Sequence, residues 1–230
     1  MTSSVPAATT PLSAALRDGT RAEHEDAESS GFVTDLVAGR APAWQYAAYL
    51  RRLRAVYGAL EAAVHDHRAH PALAAVHDED LRRAAALDAD VAHWSGSTQG
   101  PSTASGSSAA TAYAARIDAA RRRPHLLVAH HYTRYLGDLS GGRILADALR
   151  RGYARHGLDR GGLAFYDFAA IPKPVPYKRG YRDRLDAIAL TRAEQDEVVA
   201  EARVAFRLNR AVFDEVAALH DDEQRVALRR

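Results

Sequence analysis

The chain has 230 residues, 47% of them hydrophobic and 26% charged, enough for one domain with a sizeable core. The absence of cysteine excludes disulfide frameworks, thiolate metal sites and cysteine nucleophiles. A formal charge of +2 with 7% aromatic residues does not point to nucleic acid, and no apolar run approaches the roughly 18 residues of a membrane span.

In chain order, residues 1–11 are rich in Ser, Thr, Ala and Pro and lack the basic and apolar regions of a signal peptide, so they read as the flexible lead of a cytoplasmic protein. Thr10 and Pro11 predict a helix start, with Thr as N-cap and Pro in the first turn, and Leu12, Leu16, Thr20 and His24 form the inward stripe. Gly31 ends that helix or follows it closely, and a short helix over 32–38 precedes Gly39. Pro42 opens a long helix whose core face is Tyr46, Tyr49, Leu53, Val56, Leu60 and Val64, flanked by Trp44 and Tyr57. Pro71 breaks the pattern, a helix is predicted over 80–94, and the Ser/Gly/Thr-rich stretch 95–108 reads as an exposed, mobile loop.

A helix over 109–122 follows, and another starts at Pro124, runs into a glycine-rich segment at 137–142 and resumes over 143–156. Residues 171–176 carry three prolines and predict a stiff, non-helical connector before two last helices, 177–190 and 191–220. Strand signals are nearly absent, so the fold class is all-α: a lead over 1–10, one domain over 11–220 and a polar tail over 221–230.

Few residues on this frame can carry chemistry. His24 on an inward face is either a hydrogen-bonded structural residue or a ligand to a metal or haem iron, and haem needs only one protein ligand to leave its other face open. Glu28, one turn on, is placed to bond the other ring nitrogen. The run Gly137-Asp138-Leu139-Ser140-Gly141-Gly142 reads either as an inter-helix turn or as a kinked helix whose bare backbone lies against a flat ligand, with Asp138 holding water beside it. It differs from the serine-protease Gly-Asp-Ser-Gly-Gly by Leu139, and the chain lacks the β-rich scaffold of those enzymes. Arg17, two turns before His24, and Lys178 with Arg182 at i, i+4 are either solvated surface or a clamp for two carboxylates. Tyr57, Tyr113, Tyr132 and Tyr135 suit a core or a site equally.

The stretch His130-His131-Tyr132-Thr133-Arg134-Tyr135-Leu136-Gly137-Asp138-Leu139-Ser140-Gly141-Gly142 resembles the distal-helix signature of the biliverdin-forming haem oxygenases. Leu12 to Arg17, with His24 and Glu28, resembles their proximal helix, and similarity at 126–130, 162–165 and 205–209 extends the likeness from Leu12 to about His220. The resemblance implies a single-domain helical bundle with haem b between a proximal helix and a glycine-kinked distal helix. It makes His24 the axial iron ligand, with Glu28 behind it, and Arg17, Tyr132, Lys178 and Arg182 the residues that bind the propionates. Gly137 and Gly141 match glycines packed over the haem, and Phe206 and Phe213 match pocket walls. Asp138 matches the aspartate that organises distal water, with Tyr57, Tyr113 and Arg134 as its partners.

The implied activity is cleavage of haem at a meso carbon, the α carbon favoured, using O2 and externally supplied electrons and giving biliverdin, carbon monoxide and ferrous iron. A ferredoxin- or reductase-type donor would meet the basic haem edge formed by Arg17, Lys178, Arg179 and Arg182. No nucleic-acid or membrane partner is implied. A haem carrier or sensor would share most of these residues and differ at the Asp138 network. The thiamine-salvage hydrolases share the helical architecture but need a cysteine nucleophile, which this chain lacks.

Overall fold

The computed structural model describes residues 10–95, 106–155 and 161–227, with side-chain surroundings described as far as 219. The lead over 1–9, residues 96–105 of the expected loop and His156 lie outside these residues. The described helices are α1 Leu12–Gly19, α2 Arg21–Glu28, α3 Gly31–Val37, α4 Ala43–Asp66, α5 Pro71–Ala74, α6 Ala84–Ser95, α7 Ser108–Ala120, α8 Leu127–His131, α9 Gly137–Arg155, α10 Pro174–Asp186 and α11 Arg192–Ala227. Among the described residues there is no strand, and no helix is long and apolar enough to cross a membrane.

The core follows the sequence periodicity. All six residues of the stripe expected on α4 are buried, and Trp44 and Tyr57 are buried with them. The long helix α11 is the spine of the molecule, packing against α1, α2, α3, α4, α7 and α8. Its outward arginines tie down the N-terminal helices. Arg203 Nε donates to the Gly19 carbonyl at 2.6 Å, Arg207 pairs with Glu23 at 3.5 Å, and Arg210 pairs with Asp26 at 3.0 Å. A cation on the last carbonyl of α1 satisfies an acceptor that the helix itself cannot. Gly19 is the point of closest approach, since a Cβ there would lie 2.5 Å from Val199 Cγ1. Gly39 takes φ +65, and its Cβ would lie 2.6 Å from the Ala148 carbonyl oxygen, so only glycine turns the chain between α3 and α4 against α9.

Several boundaries differ from expectation, each for a local reason. The first helix is two, α1 and α2, separated at Thr20, whose hydroxyl bonds the Leu16 carbonyl at 2.7 Å. The cap position of α1 is Pro11, not Thr10, and it has no side-chain cap. The helix expected from residue 80 begins with a 3₁₀ turn, Glu79–Leu81, and becomes α-helical at Ala84. There Glu61 Oε1 accepts from the backbone N–H groups of Arg83 (2.5 Å) and Ala84 (3.0 Å) and so caps α6.

The proline-rich connector is also partly helical. Pro174, Val175 and Pro176 form the first turn of α10, where backbone N–H groups have no intrahelical partner and the loss of two of them costs little. Gly137 to Gly142 is neither a turn nor the point of irregularity, because α9 is helical throughout it. The irregularity lies just before it, in a π turn over Tyr132–Leu136 that joins α8 to α9.

Candidate functional site

The π turn and the first turns of α9 form one wall of the site. Arg134 and Asp138 are one turn apart, Arg134 buried and the Asp138 side chain 10% exposed, and Arg134 lies 3.5 Å from Asp138 Oδ1. The Tyr57 hydroxyl, on α4, donates to Asp138 Oδ2, and Arg134 Nε donates to the same tyrosine oxygen at 3.2 Å. The third side of the guanidinium donates to Asn209 Oδ1 on α11. Burial pushes the Asp138 carboxyl above its usual range, while Arg134 and the Tyr57 hydrogen bond pull it back. Burial likewise holds Tyr57 well above an ordinary phenol, so it donates rather than ionises. Tyr49 is pushed up to about 12 by burial against the pull of Arg134.

Gly137 and Gly141 lie on the outer side of this wall, one turn apart. A Cβ at either would meet nothing within 4 Å, whereas at Gly142 it would lie 2.9 Å from Tyr166 Cδ1. Only Gly142 is therefore explained by internal packing. Glycine inside a helix costs about 0.5–1 kcal/mol relative to alanine, so two glycines with open space over them suit a surface kept flat for a ligand. A cavity of about 410 Å³ borders Asp138, Leu139, Arg143 and Tyr166; His24 is not among its lining residues.

His24 and Glu28 stand on α2. The imidazole is 51% exposed, its Nδ1 lies 3.5 Å from Glu28 Oε2, and its ring meets Phe206 edge-on at 5.6 Å. Phe206 and Phe213, both buried on α11, supply apolar wall, and Phe213 continues into Tyr49 (5.7 Å) and Phe32 (6.1 Å). With Nδ1 turned to Glu28, Nε2 is the nitrogen left for a metal.

A cationic rim joins α1, the π turn and α10. The Tyr132 phenol is raised by burial and pulled down by Arg182 and Arg17, which places both arginines around it. Lys178 Nζ donates to Ser140 Oγ at 3.0 Å, and burial and then Arg182 lower its pKa. Arg17 is drawn aside to Asp18 at 3.0 Å, an exposed pair between sequence neighbours that yields easily to a stronger anion.

The structure thus gathers Tyr57, Arg134 and Asp138 into one hydrogen-bonded unit, Arg17, Tyr132 and Arg182 at one rim, and His24, Glu28 and Phe206 at one face. Tyr113 is the exception to the expected set. It is fully buried on α7, but its hydroxyl bonds to no described residue, so it is not directly joined to Asp138. Residues given no role from sequence are Tyr49, Ser140 and Asn209. Asn209 was legible in one respect, as an amide on the inward face of α11, where a buried polar group needs a partner.

The donor set fits haem: one imidazole with a carboxylate behind it, a bare helical face, apolar walls and a cationic rim for two propionates. A family model described as Heme oxygenase matches residues 10–215. The haem oxygenase of Porphyra purpurea is 37% identical over 202 residues, covering 87% of this chain and 84% of that protein. Among solved structures, haem oxygenase-1 of the cyanobacterium Synechocystis in complex with haem superposes with a TM-score of 0.84 at 33% identity, covering 96% of this chain and 99% of that one. The enzyme of Leptospira interrogans gives 0.82 at 34% identity, covering 90% and 100%.

Proposed function

The chain belongs to the haem oxygenase family, and on that premise we propose how its residues share the degradation of haem to biliverdin. Family membership sets aside the reading as a haem carrier. Bound haem supplies the iron that takes up O2 and electrons and the macrocycle that is oxidised. In our reading His24 Nε2 ligates that iron, and Glu28 fixes the ring by its hold on Nδ1. Gly137 and Gly141, with nothing over them, would let α9 lie flat against a face of the macrocycle.

Asp138 holds ordered water over that face and exchanges protons with it. The burial that raises its pKa makes it a better proton holder than an exposed aspartate, and Tyr57 and Arg134 keep its carboxyl oriented. Arg17, Tyr132, Lys178 and Arg182 take the propionates at the rim. Holding both propionates at this rim would fix the rotation of the macrocycle and with it the meso edge open to oxidation, which our reading takes to be the α edge. The same rim, with Arg179, is our docking surface for an acidic ferredoxin- or reductase-type donor.

The observation that carries this reading is the buried Tyr57–Arg134–Asp138 unit directly behind the two unfilled glycines. Haem-loaded protein given reductant and O2 should yield biliverdin, identified as the α isomer by chromatography. Asp138→Ala should still take up haem, with its visible spectrum little changed, and should lose most of the biliverdin yield. An undiminished yield removes Asp138 from this role.

A further inference from the structure

Arg17, assigned to a propionate, already holds a carboxylate that belongs to the chain. Its Nε donates to Asp18 Oδ1 at 3.0 Å and a terminal nitrogen donates to Asp18 Oδ2 at 3.2 Å, a two-pronged pairing of the kind a propionate would make with the same guanidinium. Arg21 adds a third donor, to Oδ1 at 3.1 Å, so both carboxylate oxygens are engaged. The Arg17 and Asp18 side chains are 70% and 51% exposed, which leaves them open to exchange with an anion from outside. The Tyr132 phenol is raised by Asp18 as well as lowered by Arg182 and Arg17, so this carboxylate stands at the same rim as the residues assigned to the propionates.

The backbone under the pair is pinned. Asp186, one turn after Arg182 on α10, accepts from the Ser13 N–H at 2.7 Å and from the Ser13 hydroxyl at 2.9 Å, and Ser13 lies one turn before Arg17 on α1. The two helices that carry the rim cations are thus tied together, and freeing Arg17 takes a side-chain swing rather than a helix movement. A clamp on the propionates also meets a conflict of its own. Biliverdin keeps both propionates of haem, so a contact that holds the substrate there holds the product equally and does nothing for the transition state. A carboxylate beside the clamp resolves this: Arg17 loses one carboxylate as it gains another, and the rim still orients its ligand with a smaller net affinity.

We propose that Asp18 is a tethered competitor for the propionates. It gives Arg17 up as haem enters and takes it back as biliverdin leaves, and so acts on release without touching the oxidation. Ion pairs are exchanged and no covalent bond changes. The proposal deepens the haem oxygenase reading and rests on the assignment of Arg17 to a propionate.

In Asp18→Asn, transfer of haem from the ferric complex to excess apomyoglobin, and dissociation of added biliverdin, should both slow by about two- to fivefold, the range an exposed ion pair supplies. Oxidation of one bound haem in a single turnover should keep its rate. Asp183→Asn removes the same charge from an exposed carboxylate next to Arg182 and should slow release less. Haem should leave Arg17→Met faster than the parent, and adding Asp18→Asn to that variant should change nothing further. A slower single turnover, equal slowing in the Asp18 and Asp183 variants, or additive effects in the double variant overturns the competitor. Release from Arg17→Met at the parent rate removes Arg17 from the rim and the proposal with it. Faster release from Arg17→Met with unchanged release from Asp18→Asn overturns the competitor alone and leaves the rim assignment standing.

Discussion

Asp138 is set between opposing influences: burial favours its neutral form, and Arg134 and Tyr57 favour the carboxylate. Glu201, on α11, is the opposite case, a buried carboxylate whose donors, His130 and Arg116, win and hold it at about 2. In the unfolded chain it titrates near the ordinary glutamate value of about 4.3. Its pairing therefore stabilises the fold above that pH, and the contribution is lost as pH falls toward 2. Glu201→Gln should lower the melting midpoint at neutral pH, and the gap from the parent protein should close as the solution is acidified. A gap that does not vary with pH would contradict this. At this scale the sequence showed what lies within a turn or two: spacing alone paired His24 with Glu28 and Lys178 with Arg182, and the family resemblance added Arg134 beside Asp138. It did not show that Asn209 holds Arg134 or that Tyr49 lies near it, because these partners sit on α11 and α4 and meet the distal wall only through tertiary packing. Tyr113 was expected beside Asp138, and its hydroxyl instead stands unpartnered next to His130.

The helices themselves were legible wherever one face is apolar and the other charged, as on α4. The misread elements are those in which backbone chemistry overrides a breaker residue: two prolines in the first turn of α10, and six residues with three glycines inside α9 that stay helical. Glycine reads as a break because it lacks helix propensity, but here packing on both sides of the segment maintains the helix. Its three glycines should respond differently to substitution. Gly141→Ala meets open space and gains helix propensity, so the apoprotein should become more stable by about 0.5–1 kcal/mol. Haem affinity should fall, because the added methyl stands on the ligand's side. Gly142→Ala pushes into Tyr166 and should destabilise the apoprotein. Thermal melts of both variants with and without haem check the pair, and a Gly141→Ala that binds haem at full strength would remove the glycine from the binding face.

Across the whole molecule, α11 is the common support: it touches the proximal helices through Arg203, Arg207 and Arg210, lines the pocket with Phe206 and Phe213, and holds Arg134 through Asn209. The proximal and distal walls thus share one backing, which keeps their separation fixed. The basic rim faces outward from this assembly, and its use in donor docking has a direct check. Turnover driven by an acidic ferredoxin should fall steeply as salt is raised from about 0.01 to 0.15 M, where the screening length shrinks from about 30 to 8 Å. Turnover driven by a small chemical reductant should not. Equal salt dependence in the two assays would place the donor elsewhere. The π turn over Tyr132–Leu136 has a consequence for how this site can be lost. Such a turn holds one residue more than the regular ladder, and each residue advances a helix by about 100°. Loss of a single codon there would leave an open reading frame and a smoother, better-bonded helix whose flanks keep their phase, because the turn already takes up the extra residue, but the side chains inside the turn, Arg134 among them, would be redistributed around it. A one-residue deletion within the turn should leave a well-folded protein in which Arg134 no longer meets Tyr57 and Asn209, and its biliverdin yield should fall.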